Sequence, residues 1–549
     1  MGRRVSDRLH VVAVSGPVGA GKSTLAQRLA DRYGGRRIST RELIIAHALD
    51  AGENPPDERR AFQEYGEALD RHLGGTWVSE AAASVVAQHG DARLVIVDAV
   101  RTRHQVEGLR VAFGPAVTHV HVHAPDDVLS GRYEARGSTP GLTELGSYSE
   151  VTQSVAEIEA RELLADADVA IDTQQCNPGD VETRAAAALR LQPTRTERLV
   201  DVIVGGQYGS EGKGNIAFFL ASEYDVLVRV GGPNAGHKVP LPTPFTHRLL
   251  PSGTRANESA HLVIGPGATL DVRVLQAEIA DCSVESDRLT IDPQAMIIRD
   301  HDVAAEAALV SAIGSTGKGG GAAAARRIAD RHPADGRPPV ELAGDLPELR
   351  AYVRPAADVL AAAYRDSRRV LLEGTQGTAL SLYHGHYPYV TSRDTTTAGC
   401  LAEAGIGPHR VRKVILVTRT YPIRVESPSN ETSGPMSQEI TYEEVATRSG
   451  IKLEELKASE KGSVSNKQRR IGEFDWQLLR RAVELNSATD VALTFTDYLD
   501  VQNRDARRYE QLTPATIQFV EEVERVANIP VSLLTTRFDV RSVIDRRRW

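Results

Sequence analysis

Apolar runs of four to seven residues alternate with segments of helical periodicity along most of this chain. The run HVVAVSG (10–16) precedes STLAQRLADRYG (23–34), and LVIVDAV (94–100) precedes HQVEGLRVAFG (104–114). Such alternation is typical of βαβ units, in which helices cover a parallel sheet. The sequence therefore predicts an α/β fold built on parallel sheets.

The chain of 549 residues is too long for one ordinary hydrophobic core. The βαβ rhythm is interrupted once, where TQQCNPGD (173–180) predicts a loop, an Ala/Arg/Leu-rich helix follows, and QPTRTER (192–198) has the composition of a polar linker. We therefore expect two domains, residues 1–190 and 199–549, joined by a linker at 191–198.

Composition places the chain among soluble proteins. Charged residues make up 25% and hydrophobic residues 41% of the sequence, and no apolar run is long enough to cross a bilayer. The net charge of −8 argues against stable DNA binding, and three widely spaced cysteines provide neither a disulfide framework nor a zinc site. We expect a cytoplasmic protein without membrane contact, whose local basic pockets hold anionic small molecules.

The stretch GPVGAGKS (16–23) lies between the first apolar run and a helix-period segment. It fits the pattern G-x-x-x-x-G-K-[ST], in which glycines turn backbone N–H groups toward phosphate oxygens. Lys22 supplies a mobile positive charge, and Ser23 can hold Mg²⁺. The nucleotide-binding residues predicted here are Gly16, Gly19, Gly21, Lys22, Ser23 and Thr24.

Other residues of the first domain indicate phosphoryl transfer. Asp98 closes an apolar strand, where a carboxylate can hold Mg²⁺ through water or contact the acceptor. Arginines after strands or on a facing helix would clamp phosphates and neutralise the charge that develops during transfer. The candidates are Arg41, Arg101, Arg132 and Arg136.

These motifs, together with RRAFQEYGEALDR (59–71) and VIVDAVRTRHQVEGLR (95–110), resemble deoxynucleoside monophosphate kinases over roughly residues 8–175. The resemblance implies a P-loop kinase fold. It also implies transfer of a phosphoryl group from ATP to a deoxynucleoside monophosphate, with Lys22 and Asp98 central to the reaction.

A second glycine-rich loop, GGQYGSEGKG (205–214), follows another apolar run. Its spacing differs from that of the first loop, and Lys213 lies between two glycines, so the backbone can approach an anion closely on both sides. The stretch VRVGGPNAGHKV (228–239) then presents Asn234 and His237 on a flexible turn. A histidine between glycine turns can reach a reacting phosphate and donate a proton or a hydrogen bond. The sequence therefore predicts a second phosphate site.

These two turns open an ordered series of motifs. The others are LLPSG (249–253), GSTGKGGG (314–321), EGTQGTALSLYHGHYPYVTSRDTTTAG (373–399), RRIGEFD (469–475) and VIDRR (543–547). In this order, over residues 199–549, the chain resembles adenylosuccinate synthetase in its shorter, archaeal-like form. Such enzymes phosphorylate the 6-oxygen of IMP from GTP and then displace that phosphate with the amino group of aspartate. The resemblance implies the corresponding α/β fold, Mg²⁺ and a homodimer.

The resemblance also assigns roles position by position. Lys213 would bind the γ-phosphate of the donor, and His237 would stabilise and protonate the transferring oxygens. The Gly236 carbonyl and Ser210 would face Mg²⁺. The residues implied for the purine monophosphate are Asn234, Thr316, Gln376 and Thr391, and those for aspartate are Ser463, Ser465, Lys467 and Arg469. Those implied for the donor nucleotide are Gly209, Glu211, Gly212, Gly214 and Asp497.

Ser210 departs from the family pattern. The family loop is G-D-E-G-K-G, and its aspartate takes the N1 proton of hypoxanthine so that O6 becomes nucleophilic. A serine hydroxyl is not a base at neutral pH, so the chemistry stops, another group takes the proton, or the acceptor purine has changed. A shorter, uncharged side chain leaves room beside C2, where guanine carries an amino group. The GSEGKG loop resembles the phage-type branch, 2-aminoadenylosuccinate synthetase, which joins aspartate to dGMP.

Three further departures concern the sugar, the donor and the subunit contact. Lys467 stands where the family has an arginine that contacts aspartate and ribose. The stretch FTD (495–497) replaces the Lys-x-Asp that helps to read a guanine donor, which favours ATP or dATP and leaves GTP possible. The family's subunit-crossing arginine falls on Asp330, with Arg331 beside it.

We therefore expect a two-domain enzyme that joins L-aspartate to dGMP with Mg²⁺ and a nucleoside triphosphate, giving N6-succino-2-amino-2'-deoxyadenylate and phosphate. The fused nucleotide kinase would help to raise such a deoxynucleotide toward the triphosphate. Two alternatives stay open, namely an ordinary adenylosuccinate synthetase acting on IMP and a catalytically silent nucleotide-binding regulator. The acceptor of the N1 proton is unassigned. One candidate is Ser210, passing the proton on to Glu211 or to water.

Overall fold

Two units make up the structure, a computed structural model that describes residues 9–89, 92–135, 147–191, 197–332, 339–429, 431–461 and 468–549. The units are Met1–Arg195 and Thr196–Trp549. The division between them falls within the segment 191–198 that we predicted as a linker.

Unit 1 is organised around a parallel sheet. Its strands are β1 (His10–Ser15), β2 (Arg36–Ser39), β3 (Leu94–Asp98), β4 (Val117–His123) and β5 (Val169–Asp172). They form one sheet in the order β2-β3-β1-β4-β5, and all neighbouring strands are parallel. Alternate residues of β1 point to opposite faces, so that Val12 and Val14 lie in one buried cluster and Val11 and Ala13 in another. A strand buried on both sides requires helices on both faces.

Helices cover both faces of this sheet. They are α1 (Lys22–Tyr33), α2 (Thr40–Asp50), α3 (Arg59–Leu73), α4 (Thr76–Gln88), α5 (Arg103–Phe113), α6 (Asp126–Glu134), α7 (Tyr148–Thr152), α8 (Val155–Glu162) and α9 (Pro178–Ala188). Leu25 and Leu29 of α1 pack in one cluster, and Trp77 and Val78 of α4 pack in the other. The predicted α/β architecture is confirmed.

Helix α9 begins earlier than predicted. The sequence predicts a loop over 173–180, but α9 starts at Pro178. Asn177 Oδ1 accepts a hydrogen bond from the Asp180 N–H, and the Asp180 carboxylate accepts one from the Asn177 N–H. Proline suits the first helical position because its missing N–H has no intrahelical partner there. The Asn-Pro pair therefore starts the helix instead of extending the loop.

Unit 2 is built on a larger sheet. Its strands are β6 (Val200–Gly205), β7 (Val226–Arg229), β8 (His237–Val239), β9 (Phe245–His247), β10 (His261–Ile264), β11 (Thr269–Leu270), β12 (Leu289–Ile291), β13 (Met296–Ile297), β14 (Val370–Glu373), β15 (Val411–Arg419), β16 (Ile423–Arg424), β17 (Glu439–Ile440), β18 (Arg470–Gly472), β19 (Asp490–Thr494), β20 (Val531–Thr535) and β21 (Val543–Asp545). The main sheet has the order β12-β10-β7-β14-β6-β15-β19-β20-β21, with only β21 antiparallel to its neighbour in the described residues. The smaller sheets pair β8 with β9, β11 with β13, and β16 and β17 with β18.

The helices of unit 2 pack around this sheet. They are α10 (Lys213–Leu220), α11 (Val272–Asp281), α12 (Asp300–Ala305), α13 (Ala307–Ile313), α14 (Gly320–Ala329), α15 (Ala356–Arg365), α16 (Thr397–Ala404), α17 (Tyr442–Ser449), α18 (Leu453–Ser459), α19 (Trp476–Asn486) and α20 (Pro514–Ala527). Across the described parts of both units, we find no helix with the length and apolar character needed to span a bilayer.

Several predicted motifs follow neighbouring strands of the main sheet. Strand β6 pairs in parallel with β14 and β15, and β14 pairs in parallel with β7. The loop 206–212 follows β6, the turn 230–236 follows β7, and the residues 374–377 follow β14. Ligands of parallel α/β sheets bind at the carboxyl ends of the strands. This edge of the sheet is therefore where the site of unit 2 is expected.

Candidate active sites

The first glycine-rich loop turns tightly at the end of β1. A Cβ on Gly16 would lie 2.0 Å from the carbonyl oxygen of Val122, so only glycine fits at this point. The Lys22 Nζ donates hydrogen bonds of 2.7 Å to the carbonyl oxygens of Gly16 and Pro17. The loop is therefore closed over a lysine ammonium group, an arrangement suited to phosphate.

Asp98 lies beside this loop at the end of β3. Its Oδ1 accepts a hydrogen bond of 3.1 Å from the Ser23 hydroxyl, and its Oδ2 accepts two from Arg37, at 2.9 and 2.7 Å. Mg²⁺ in nucleotide sites takes a few protein oxygens together with phosphate oxygens and water, so Ser23 and Asp98 fit such an ion. Arg37 was not predicted from the sequence, because an arginine in a short strand belongs to no motif.

A cavity of about 810 Å³ opens at the first loop. The predicted residues that line it are Gly19, Gly21, Lys22, Ser23, Thr24, Arg41, Asp98, Arg101 and Arg132. Gly16 does not line it, and Arg136 lies outside the described residues. The wall also carries Phe62, whose ring centre lies 5.2 Å from the Arg41 guanidinium. A cavity that joins a phosphate loop, several arginines and an aromatic ring suits a nucleotide.

Glu157 of α8 contacts the first phosphate loop, and it was not predicted from the sequence. Its carboxylate is 0% exposed. It accepts a hydrogen bond from the backbone N–H of Val18, within the loop, and one of 3.2 Å from Nη1 of Arg101. Glu157 therefore ties the phosphate loop to Arg101. No local pattern could have indicated this, because the partners are distant in sequence.

In unit 2, Glu211 organises the second glycine-rich loop from within. Its Oε1 accepts hydrogen bonds from the backbone N–H groups of Gln207 and Gly209 at 3.0 and 2.8 Å, and its Oε2 accepts one from Lys213 Nζ at 2.6 Å. Glu211 is 0% exposed and Lys213 is 2% exposed. A buried charge requires such a partner, so the carboxylate fixes both the loop and the ammonium group.

Ser210 occupies the exposed turn of the same loop. Its φ of 58° lies in the left-handed region, where non-glycine residues are uncommon and often functional. Its carbonyl oxygen accepts a hydrogen bond of 3.4 Å from Nη1 of Arg419, and Arg419 is paired with the buried Glu460 at 2.6 Å. The backbone turn is thus held by a buried arginine, and Ser210, whose side chain is neutral, is among the residues that line the cavity described below.

His237 belongs to a buried cluster with Glu373, Arg229 and Ser252. The Nδ1 of His237 and the Ser252 hydroxyl both contact Oε1 of Glu373, and Nη1 of Arg229 lies 3.2 Å from that oxygen. Burial and then Arg229 lower the pKa of His237 to about 4. Burial by itself would raise the pKa of Glu373, but Arg229 and His237 hold it at about 2. At neutral pH we therefore assign a neutral imidazole whose Nδ1–H donates to a carboxylate, leaving Nε2 for a ligand.

The partners of His237 lie in sequence motifs named above, but no role was predicted for them. Arg229 ends the apolar strand β7, and Glu373 ends β14. Ser252 belongs to the LLPSG motif. A single charged residue at the end of an otherwise apolar, buried strand is the signal that could have found them, because buried charges need partners.

A cavity of about 420 Å³ lies at the carboxyl edge of the main sheet. The predicted residues that line it are Gly209, Ser210, Lys213, Asn234, Gly236, His237, Thr316, Gln376, Thr391 and Arg469. The predicted residues that do not line it are Glu211, Gly212, Gly214 and Asp497. Those outside the described residues are Ser463, Ser465 and Lys467. The structure thus brings one group of residues together, and the role of each stays a prediction.

Asp497 lies after β19, outside the lining of that cavity. Burial raises its pKa to about 6, although Arg504, with Nε at 3.2 Å from Oδ2, opposes the shift. Its Oδ1 is buried and has no hydrogen-bond partner among the described residues. A ligand that donates a hydrogen bond would remove the cost of this unsatisfied oxygen.

The residues predicted for Mg²⁺ in unit 2 fit an ion that arrives with a nucleotide. Within the described ranges, no group of three His, Cys, Asp or Glu residues is arranged to hold a metal. Nucleotide-bound Mg²⁺ needs only one or two protein oxygens, because phosphates and water supply the rest. Gly236 and Ser210 both line the cavity and offer a carbonyl and a hydroxyl oxygen.

The fold and the two glycine-rich loops define a nucleotide-binding α/β protein. A family profile described as adenylosuccinate synthetase matches residues 202–332 and 341–504, and one described as an AAA domain matches residues 12–158. The chain belongs to the adenylosuccinate synthetase family and carries an N-terminal P-loop, kinase-like domain. It is therefore a ligase of purine biosynthesis that forms a carbon–nitrogen bond with a nucleoside triphosphate.

Similar proteins with curated names come from archaea. The adenylosuccinate synthetase of Methanocaldococcus jannaschii is 36% identical over 356 residues, which are 63% of this chain and 96% of that protein. The enzyme of Archaeoglobus fulgidus is 36% identical over 354 residues, which are 63% of this chain and 98% of that protein.

Two solved structures resemble unit 2. The cyanophage S-2L succinoaminodeoxyadenylate synthetase, bound to dGMP and to dATP as an energy donor, is 28% identical with a TM-score of 0.53, covering 64% of this chain and 96% of that chain. The fully ligated adenylosuccinate synthetase of Plasmodium falciparum is 19% identical with a TM-score of 0.55, covering 64% and 100%. The second similarity shows the fold alone.

Proposed function

We propose that unit 2 joins L-aspartate to dGMP, with ATP or dATP as the phosphate donor. The observation that carries this proposal is the neutral Ser210 in the loop turn that lines the cavity. A hydroxyl cannot take the N1 proton as the family aspartate does, and it leaves room beside C2 for the amino group of guanine. The cyanophage S-2L relative, solved with dGMP and dATP, supports the same acceptor and donor.

The proposed reaction has two steps. In the first, O6 of guanine attacks the γ-phosphorus of the donor, the bond from that phosphorus to the bridging oxygen breaks, and N1 loses its proton. In the second, the amino nitrogen of aspartate attacks C6 and loses a proton while the C6–O6 bond breaks. The products are N6-succino-2-amino-2'-deoxyadenylate, orthophosphate that carries O6, and ADP or dADP.

Lys213 and His237 would act on the transferred phosphoryl group. The contact with Glu211 keeps the Lys213 ammonium group in place, so it needs no rearrangement as charge moves toward the phosphate. His237 is neutral in the free protein, and phosphate anions beside Nε2 would raise its pKa and let it donate a hydrogen bond. Mg²⁺ held by Gly236 and Ser210 would neutralise phosphate charge.

Water is the better supported acceptor for the N1 proton. Glu211 is fully buried and already accepts hydrogen bonds from Gln207, Gly209 and Lys213, so it does not face a base in the cavity. Ser210 is exposed and can pass a proton to solvent. We therefore propose a relay through Ser210 and water.

The two remaining substrates have separate candidate sites. Arg469 lines the cavity with 14% of its side chain exposed, and its guanidinium suits a carboxylate of aspartate. We assign Ser463, Ser465 and Lys467 to the same substrate from the family resemblance. The unpartnered Oδ1 of Asp497 suits the exocyclic amino group of an adenine donor, with Phe495 in place of the family lysine.

We further propose that unit 1 transfers phosphate from ATP to a deoxynucleoside monophosphate. The support is the cavity that joins Lys22 and Ser23 to Arg41, Arg101 and Arg132. Adjacent donor and acceptor nucleotides need such arginines, because phosphoryl transfer depends on positioning and charge neutralisation. We also expect a homodimer formed through unit 2, on the family resemblance.

Conversion of IMP is the second candidate, since the archaeal relatives are 36% identical and are named for that family activity. Ser210→Asp tests the proposed role of this position in the choice of acceptor. If dGMP is the acceptor, the charged side chain should lower the ratio of kcat/KM for dGMP to that for IMP on the order of 10²-fold. Ser210→Asn, with the same size and no charge, is the matched control. An unchanged ratio in Ser210→Asp would contradict the proposed role of this position.

A further inference from the structure

Glu306 places a buried carboxylate against the start of α14. Its Oε2 accepts a hydrogen bond of 2.8 Å from the Gly319 N–H, and its Oε1 accepts bonds of 2.6 and 3.2 Å from the N–H groups of Gly321 and Ala322. Glu306 is 7% exposed. One charged side chain therefore satisfies three backbone donors that a helix start leaves without intrahelical partners.

These contacts close the segment 307–318 at both ends. Glu306 directly precedes α13, and its carboxylate binds the residues that directly follow the segment. A second tie lies alongside, because Arg326 of α14 donates to both carboxylate oxygens of Asp302 in α12 at 3.0 and 2.8 Å. The path of the segment relative to α14 is thus fixed by two carboxylates.

The closed segment forms part of the cavity wall. Thr316 lies within it, and Glu306, Gly320 and Gly321 line the same cavity. Because Glu306 occupies the N–H groups at the start of α14, a nucleotide phosphate cannot use them. The phosphate is then left to the neutral side chains that the family resemblance implies for the purine monophosphate, and Asn234, Thr316 and Thr391 of these line the cavity.

We propose that Glu306 is a positioning residue for the phosphate of the acceptor nucleotide. It holds Thr316 where its hydroxyl can contact that phosphate, and it keeps the start of α14 from binding the anion in an unproductive place. The inference rests on the proposed function and on the family resemblance, which implies that Thr316 holds the purine monophosphate.

Glu306→Gln in the full chain tests this role. The amide keeps the shape of the side chain, but its NH₂ group meets a backbone N–H, so at least one contact is lost. We expect KM for dGMP in the aspartate ligation to rise about tenfold, with KM for ATP and for aspartate changing less than about twofold. A selective increase in one KM is a result that general loss of stability would not produce.

Glu278→Gln is the matched control. Glu278 is also buried, and it accepts hydrogen bonds from three successive backbone N–H groups, those of Arg248, Leu249 and Leu250. It lines neither cavity described above. We expect this variant to lower the thermal unfolding midpoint as much as Glu306→Gln does, with KM for dGMP unchanged.

Gly321→Ala provides a second perturbation in case Glu306→Gln does not fold. An added Cβ would lie 2.9 Å from Oε1 of Glu306 and 3.0 Å from Cβ of Ser392, and displacement of the flexible carboxylate should give the same selective rise in KM. The inference is overturned if KM for dGMP stays within about twofold, if all three KM values rise together, or if Glu278→Gln gives the same selective rise.

If the unmodified chain shows no ligation, the proposed function fails by itself. In that case the Kd of dGMP, measured by calorimetry, tests the role of Glu306. A Kd for Glu306→Gln equal to that of the parent overturns the inference.

Discussion

Replacement of Glu373 by glutamine should strongly destabilise unit 2. Arg229 and Glu373 are each 2% exposed at the side chain, and Glu373 also accepts hydrogen bonds from the backbone and the hydroxyl of Ser252. The variant leaves the arginine charge buried without its counter-ion. Removing one partner of such a pair costs about 3–5 kcal/mol of the free energy of unfolding.

Urea unfolding followed by tryptophan fluorescence measures this loss. The chain has three tryptophans, and the background substitution Trp77→Phe leaves only Trp476 and Trp549, both in unit 2. With a slope of about 3 kcal/mol per molar urea, the midpoint should fall by about 1–1.7 M.

The double variant Arg229→Met, Glu373→Met is the control for this prediction. It removes both charges, so part of the lost stability should return, while the Ser252 and His237 donors stay without their acceptor and keep the midpoint below that of the parent. A single Glu373→Gln variant within about 0.5 kcal/mol of the parent would refute the reasoning, because an uncompensated buried charge is expected to cost several times more.

Two other predictions address the phosphate loops and Asp497. Lys22→Met should lower kcat for phosphorylation of the deoxynucleoside monophosphate on the order of 10²–10³-fold. Lys213→Met should lower kcat for aspartate ligation by a similar factor, and chromatography of the respective products measures both. Equal loss of both activities in both variants would contradict two separate sites. The folded pKa of Asp497, about 6, lies above its unfolded value. Protonation of Asp497 therefore adds stability that is fully present below the unfolded pKa and is lost as the pH rises through about 6. Asp497→Asn should accordingly be more stable than the parent by about 3 kcal/mol at pH 7.5 and equally stable at about pH 3, as measured by urea unfolding. If Asp497→Asn is more stable than the parent by the same amount at both pH values, burial of the charge is not the cause of the difference in stability.

The fold and the phosphate loops could be predicted because their signals are local. An apolar strand, a glycine-rich turn and a helix are contiguous in sequence, and parallel strands bring their following loops to one edge. The predicted loop over 173–180 was wrong at its end, where α9 starts at Pro178, because an Asn-Pro pair can begin a helix as well as form a turn.

Which buried charges and backbone groups pair around the two sites could not be predicted, because the partners are far apart in sequence. Glu157 and Val18 are separated by 139 residues, and Arg419 and Ser210 by 209. Which charged side chains meet depends on how the helices and strands pack. The sequence shows the serine at position 210, but only the fold shows that Arg419 holds its turn.

An aspartate-dependent product assay on the purified chain tests the central claim most directly. The chain is incubated with Mg²⁺, aspartate and either ATP or GTP, with dGMP, GMP or IMP as the acceptor. The nucleotide products are then separated by chromatography and identified by mass spectrometry. We predict a succinylated adduct of dGMP that requires aspartate and forms with ATP. An adduct of IMP alone would contradict the claim and assign the protein to ordinary adenine nucleotide synthesis, and no adduct with any acceptor would favour a nucleotide-binding regulator.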